Sequence, residues 1–119
     1  MQPANIDLTI YKGSTFSKSI QWKTGTIPSP VNLTGCTARM QIRKTVNDAT
    51  ILDTLTTENG GIVFEDAGTG KLRIEIAADT STAYTFNSGV YDLEIIFPST
   101  GRVVRLLEGC VSANPEVTR

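Results

Sequence analysis

The residues that could do chemistry in this chain are few, and their spacing decides what they can do. Asp92 and Glu94 stand two positions apart, which puts both carboxylates on one face of a β-strand. A general acid/base pair needs carboxyl groups roughly 5–9 Å apart in a cleft. The outer face of a sheet offers no cleft, and Arg39, Arg43 and Arg73 also fall on outward faces. The chemistry expected of all five is therefore cross-strand ion pairing at the surface. Glu65 with Asp66, and Asn47 with Asp48, are candidate cation ligands, but neither pair belongs to the spaced oxygen run of a calcium loop. Gly68 and Gly70 make a turn rather than a phosphate loop, because no Gly-Lys-Ser/Thr and no helical pattern follow. Ser and Thr are abundant but have no base beside them.

The chain contains no histidine. That removes histidine-based triads, histidine metal sites and the commonest general base together. The expectation is a protein that is not an enzyme, with no catalytic, cofactor-binding or metal-ligating residue and no cofactor. Cys36 and Cys110 could meet only if their strands are neighbours; the expected state is two small buried thiols. Trp22 and the tyrosines read as core residues rather than a stacking platform, since basic residues do not cluster around them. Eleven basic and twelve acidic residues give a formal net charge of −1. A nucleic-acid binder would need a basic surplus, so no nucleic-acid partner is expected. No apolar run approaches the ~20 residues of a membrane span, and no membrane partner is expected either. MQPANIDLTIYKG lacks a basic region followed by an apolar core and does not read as a signal peptide.

The elements that must carry these residues are strands. Leu33–Lys44 alternates cleanly: Cys36, Ala38, Met40 and Ile42 inward, Thr37, Arg39, Gln41 and Arg43 outward. Further strands are expected at Ile6–Lys12, Thr15–Trp22, Thr50–Thr56, Ile62–Glu65, Lys71–Ala77, Gly89–Phe97 and Arg102–Val111. Lys18 shares the apolar face of its strand with Phe16 and Ile20, which suggests a sheet edge. Lys23–Val31 reads as a loop that Pro28 and Pro30 keep out of any ladder. Glu58-Asn59-Gly60-Gly61 is a strong hairpin signal, and Asp79 can cap one helical turn over Thr80–Ala83. Alternation slips near Leu106-Leu107, and Gly109 is the expected bulge. Tyr91, two positions before the inward Leu93, has the form of a tyrosine corner.

At 119 residues the chain is one domain. The fold expected is all-β, an immunoglobulin-like antiparallel β-sandwich of seven to eight strands, with short N-terminal (1–5) and C-terminal (112–119) extensions. Docking contacts are expected at the N-terminal strand, the 23–31 loop and the C-terminal tail.

The segments DLTIYKGSTFSKSIQWK (7–23), VNLTGCTARMQIRK (31–44), LTTENGGIVF (55–64), GVYDLEIIFPSTGRVVRLLEGCV (89–111) and PEVTR (115–119) resemble a group of small tailed-bacteriophage virion proteins. They are also similar to the immunoglobulin-like N-terminal domain of the siphophage baseplate upper protein. The resemblance implies a non-enzymatic structural module on the virion, made in the host cytoplasm. It would attach to the tail, baseplate or neck in multiple copies, with other virion proteins as partners. Capsid decoration or head-to-tail connection is the alternative within that class. A carbohydrate-binding sandwich is the alternative outside it, for which Tyr11, Tyr84 and Phe86 are the available aromatics. Unlike the longer baseplate protein, the sequence stops at Arg119, so no stalk or receptor-binding domain is expected, which favours an adaptor or decoration role over direct host recognition.

Overall fold

The computed structural model describes residues 3–25 and 28–116. In chain order the strands are β1 (Ala4–Asn5), β2 (Leu8–Tyr11), β3 (Phe16–Gln21), β4 (Lys23–Thr24), β5 (Ser29–Pro30), β6 (Thr37–Arg43), β7 (Asp53–Thr56), β8 (Ile62–Asp66), β9 (Lys71–Ile76), β10 (Ser88–Ile96) and β11 (Val103–Asn114). One short helix, α1 (Ala78–Thr82), follows β9, and a 3-10 turn spans Ala67–Thr69.

Two sheets make the sandwich. The larger runs β1/β2-β11-β10-β6-β7, and the smaller runs β3-β9-β8. Between them lie the inward residues of the alternating strands: Ala38, Met40 and Ile42 of β6, Leu72, Ile74 and Ile76 of β9, and Tyr91, Leu93 and Ile95 of β10. This is the immunoglobulin-like arrangement, with β7 extending the larger sheet beyond β6 as in variable-type domains. β1 and β2 keep one register on β11, Ala4 opposite Leu107 and Leu8 opposite Val111, so they form one interrupted edge strand. Merged in this way, and leaving aside the two-residue β4-β5 hairpin, the sandwich has eight strands among the described residues.

Several expectations are corrected. The sheet is not purely antiparallel, because β1 and β2 run parallel to β11. Residues 4–5 are laddered, and β11 continues to Asn114, so the N-terminal (1–5) and C-terminal (112–119) segments are partly sheet; residues 1–2 and 117–119 lie outside the described residues. The ladder ends at Pro115, which has no N–H to give. Removing Ser112–Arg119 would therefore strip β2 of the partners of Thr9, Ile10 and Tyr11. In the 23–31 loop, Pro30 pairs opposite Lys23, an edge position where its missing N–H costs nothing. Leu33–Cys36 is a turn rather than strand: Gly35 has φ +81° and the Cys36 N–H donates to the Leu33 carbonyl. Leu33 is nonetheless fully buried beneath it. Ile51 is exposed, and its strand begins only at Asp53.

The Asn59-Gly60 turn does not close a ladder between β7 and β8. β7 pairs with β6 and β8 with β9, so the turn carries the chain from one sheet to the other. α1 begins at Ala78 with Ala77 as its uncapped N-cap, and Asp79 sits inside the first turn. The slip in β11 is a bulge at Leu106, where Leu93 faces Leu107 but Glu94 faces Arg105; Gly109 is in register.

Candidate functional site

The outer face of β6, β10 and β11 carries rows of charged and polar side chains. Pairing sets its rows. Arg39, Glu94 and Arg105 line up across the three strands, and so do Gln41, Asp92 and Glu108. Arg39 Nε lies 2.8 Å from Glu94 Oε1, and Arg105 reaches Asp92 and Glu108 at 3.5 Å each. Arg43 makes no ion pair among the described residues; it donates to the Asp48 carbonyl at 2.7 Å and to Gln41 Oε1 at 2.9 Å. Beside these rows lies a shallow concavity of about 420 Å³, lined in part by Asn5, Arg43, Val46, Asp92 and Cys110. Burial pushes the Asp92 carboxyl up; Arg105 and Arg43 pull it down, while Glu94 and Glu108 add to the rise.

Asp92 and Glu94 are thus brought together on one face, as their spacing predicts, and each is held by a different arginine. An acid/base pair needs one carboxyl kept protonated beside an ionised one. These two instead serve as anchors for guanidinium groups at a solvated surface. Arg73 pairs not with them but on the smaller sheet, with Glu65 at 3.3 Å and Glu75 at 3.2 Å. Asp48 turns its carboxylate onto the Thr50 N–H, and the described residues contain no cluster of acidic or thiol groups arranged to hold a metal ion.

Of the aromatic candidates, Tyr84 and Phe86 are engaged within the fold, while Tyr11 is exposed, a correction to its reading as a core residue. Tyr84 and Phe86 stack on each other with centroids 4.7 Å apart, and the Tyr84 hydroxyl donates to the Asp53 carboxylate. Burial, then that bond, drive the Tyr84 pKa far up. Tyr11 stands apart on β2, 60% exposed. Trp22 is buried against Phe97 at 6.2 Å, as a core residue should be. Its indole N–H has no partner among the described residues.

Both cysteines are free, and only Cys36 is buried; Cys110 is exposed on β11, a correction to the expectation of two buried thiols. Cys110 lies opposite Val90, whereas Cys36 precedes Thr37, which lies opposite Ile96. That separation along β10 is on the order of 20 Å, far beyond the reach of a disulfide.

Sequence reasoning missed the side chains that manage the sheet edges. On β7 the outward N–H groups belong to Thr54 and Thr56. Asp53 Oδ1 accepts from Thr54 at 2.8 Å and Asn59 Oδ1 from Thr56 at 2.9 Å, while Asn59 Nδ2 donates to the Thr54 carbonyl at 2.9 Å. The signal in the sequence is Asn59, which the Asn-Gly pair marks as a turn residue but not as an edge cap.

No family model matches the sequence, and no curated protein matches it. Solved structures do share the fold. The NK cell receptor NKp44, described as a triggering partner in natural cytotoxicity, is similar over 96% of this chain and 100% of its own, at 12% identity and a TM-score of 0.51. The N-terminal domain of ORF48 of phage TP901-1 is similar over 97% of this chain and 90% of its own, at 13% identity and a TM-score of 0.50. A receptor and a phage protein fit about equally well, so the likeness establishes an immunoglobulin-like sandwich and leaves function to be argued from elsewhere.

Proposed function

We propose that this chain is a non-enzymatic structural component of a tailed-phage virion, an adaptor module that attaches to the tail, baseplate or neck through other virion proteins. One observation carries the reading. The segments 7–23, 31–44, 55–64, 89–111 and 115–119 resemble phage virion proteins in sequence, and the sandwich that forms is one the phage TP901-1 ORF48 N-terminal domain also adopts. The chemistry of the surface agrees with it. Charged side chains on the outer face of the larger sheet are tied to one another across strands, which suits a scaffold. No cofactor and no nucleic-acid or membrane partner enters this reading.

The test is the composition of purified particles. Quantitative mass spectrometry should find the protein in intact virions at tens of copies, and antibody labelling should place it on the tail side. Hundreds of copies over the capsid would replace the adaptor reading with decoration. Absence from purified particles would overturn both.

A further inference from the structure

The sandwich has four long edges, and three are guarded against strand addition. β7 has its outward N–H groups capped by Asp53 and Asn59. β3 carries a lysine in its core-side row: Lys18 lies opposite the buried Ile74 and is itself exposed, a charge at the edge of the strand. β8 is interrupted by a bulge at Glu65, where the register on β9 slips. Side-chain blocking, an edge charge and a bulge are the devices that keep sheet edges from pairing with other chains.

β2 has none of them. Its sequence is Leu-Thr-Ile-Tyr, without charge or proline, and it forms the outer edge of the larger sheet. The ladder to β11 uses the N–H groups of Ile6 and Lys12, which donate to Glu108 and Asn114. With a strand period of two, Leu8 and Ile10 also face β11, and the N–H and C=O of Thr9 and the N–H of Tyr11 face away from it. Thr9 and Tyr11 are exposed, Tyr11 conspicuously so.

We propose that the β2 edge is a self-pairing surface, and that its occupant is the β2 strand of a second copy of this chain, antiparallel about a two-fold axis at Thr9. The sequence around Thr9 is complementary to itself in that register. Thr9 faces Thr9 of the second copy. Leu8 faces Ile10, Asp7 faces Tyr11, and Lys12 faces Ile6, each pair occurring twice. On the inner side Leu8 meets Ile10 and the Lys12 stem meets Ile6; on the outer side threonine meets threonine and Asp7 meets Tyr11; no like charges stand opposite each other. About four backbone hydrogen bonds form, two between the threonines and two from Tyr11 N–H to Asp7 C=O. The contact is isologous, so it closes at two copies and joins two large sheets into one. Being one strand wide, it is a weak contact that operates at high local concentration.

Sedimentation equilibrium over roughly 10 µM to 1 mM should show a concentration-dependent dimer. Thr9→Lys and Thr9→Asp each place like charges directly opposite, and each should weaken association by about tenfold or more. Thr9 is exposed, so both variants should keep the wild-type circular dichroism. An equimolar mixture of the two sets lysine opposite aspartate and should restore the dimer. A wild type that stays monomeric over this range overturns the proposal. So does a Thr9→Lys variant that dimerises like the wild type, or a mixture that fails to recover. If one variant fails to fold, the wild-type Thr9 and Tyr11 amides still decide: their hydrogen exchange must slow as concentration rises, and unchanged exchange rules the pairing out.

Discussion

The hydroxyl of Tyr91 donates to the carbonyl oxygen of Ile6 at 2.7 Å, across 85 positions of sequence. In a regular parallel ladder that carbonyl would accept from the Cys110 N–H. Tyr91 draws it inward instead, and the Asp7 carboxylate takes its place, accepting from Cys110 N–H at 3.0 Å. Gly109 makes this possible, because a Cβ there would lie 2.3 Å from the Ile6 oxygen. The break between β1 and β2 is therefore a built exchange of acceptors. Tyr91→Phe should cost about 1–2 kcal/mol and Gly109→Ala should cost more, since the alanine must displace the backbone at Ile6. Urea unfolding measures both. Hydrogen exchange in Tyr91→Phe should accelerate first at Ile6 and Cys110.

The same tyrosine makes the fold sensitive to alkali. Burial, then the charge of Asp7, push the Tyr91 pKa up to about 12, from an ordinary value of 10. A raised folded-state pKa means the native state holds its proton more tightly than the unfolded chain. This contribution is complete below pH 10 and declines as pH rises toward 12. Tyr84 is shifted in the same direction, by burial and by Asp53. Stability should fall across pH 10–12, less steeply in Tyr91→Phe than in the wild type. Absorbance at about 295 nm should show Tyr84 and Tyr91 ionising together with unfolding.

Ser81 is fully buried on α1 and is the one buried polar side chain among the described residues. Its Oγ accepts from the Gly13 N–H at 3.0 Å and lies 3.1 Å from the Ala78 carbonyl, to which it can donate. The helix is thereby fixed to the turn between β2 and β3. Ser81→Ala leaves the Gly13 N–H without its acceptor and should cost about 1–3 kcal/mol, read as a lower urea midpoint with unchanged slope. Ser81→Thr keeps the hydroxyl but adds a methyl at a fully buried position, and should not rescue fully.

None of these bonds was visible in the sequence, while the strands around them were. Thr37–Arg43, Lys71–Ile76 and Ser88–Ile96 announce themselves because period two is a local property: each residue reports its own side of the sheet. Pairing partners are not local. The Asn59-Gly60 turn has the same residues whether it returns a strand to its own sheet or sends it to the other. Asn59 and Asp53 decide the matter by filling the bonds that a β7 hairpin partner would have used. Tyr91 has the spacing of a tyrosine corner, but its hydroxyl donates to a strand at the other end of the chain and not to backbone a few residues upstream, so the corner expected there does not form. The outer-face pairing of Arg39 with Glu94 was legible because alternation puts both outside. The assignment of Arg73 to Glu65 and Glu75 required the sheet order.

The two thiols should behave as different groups. Cys110 is exposed and should react with a thiol reagent in the native protein at the rate of a solvated thiol. Cys36 is buried, and burial raises its pKa, so its thiolate is both scarce and shielded. It should react only with the rate of unfolding. A stopped-flow trace with Ellman's reagent should give two equal phases, and Cys110→Ser should remove the fast one. Mild oxidation of the wild type should produce no intramolecular bridge, because the two cysteines sit near opposite ends of β10.

The edge caps on β7 should trade stability and solubility together. Asn59→Ala removes the acceptor of the Thr56 and Gly61 N–H groups and the donor to the Thr54 carbonyl. These groups are partly solvated, so water replaces much of what is lost and the cost should be about 1 kcal/mol. The larger effect is on association. With Thr54 C=O and Thr56 N–H released, β7 offers an open ladder beside Asp53, and the variant should aggregate from partly unfolded solutions faster than the wild type. Asn59→Asp keeps the acceptor and adds a charge at the edge. It should lose the bond to the Thr54 carbonyl yet remain as soluble as the wild type in light scattering. If Asn59→Ala and Asn59→Asp scattered alike, the caps would be acting on the turn and not on the edge.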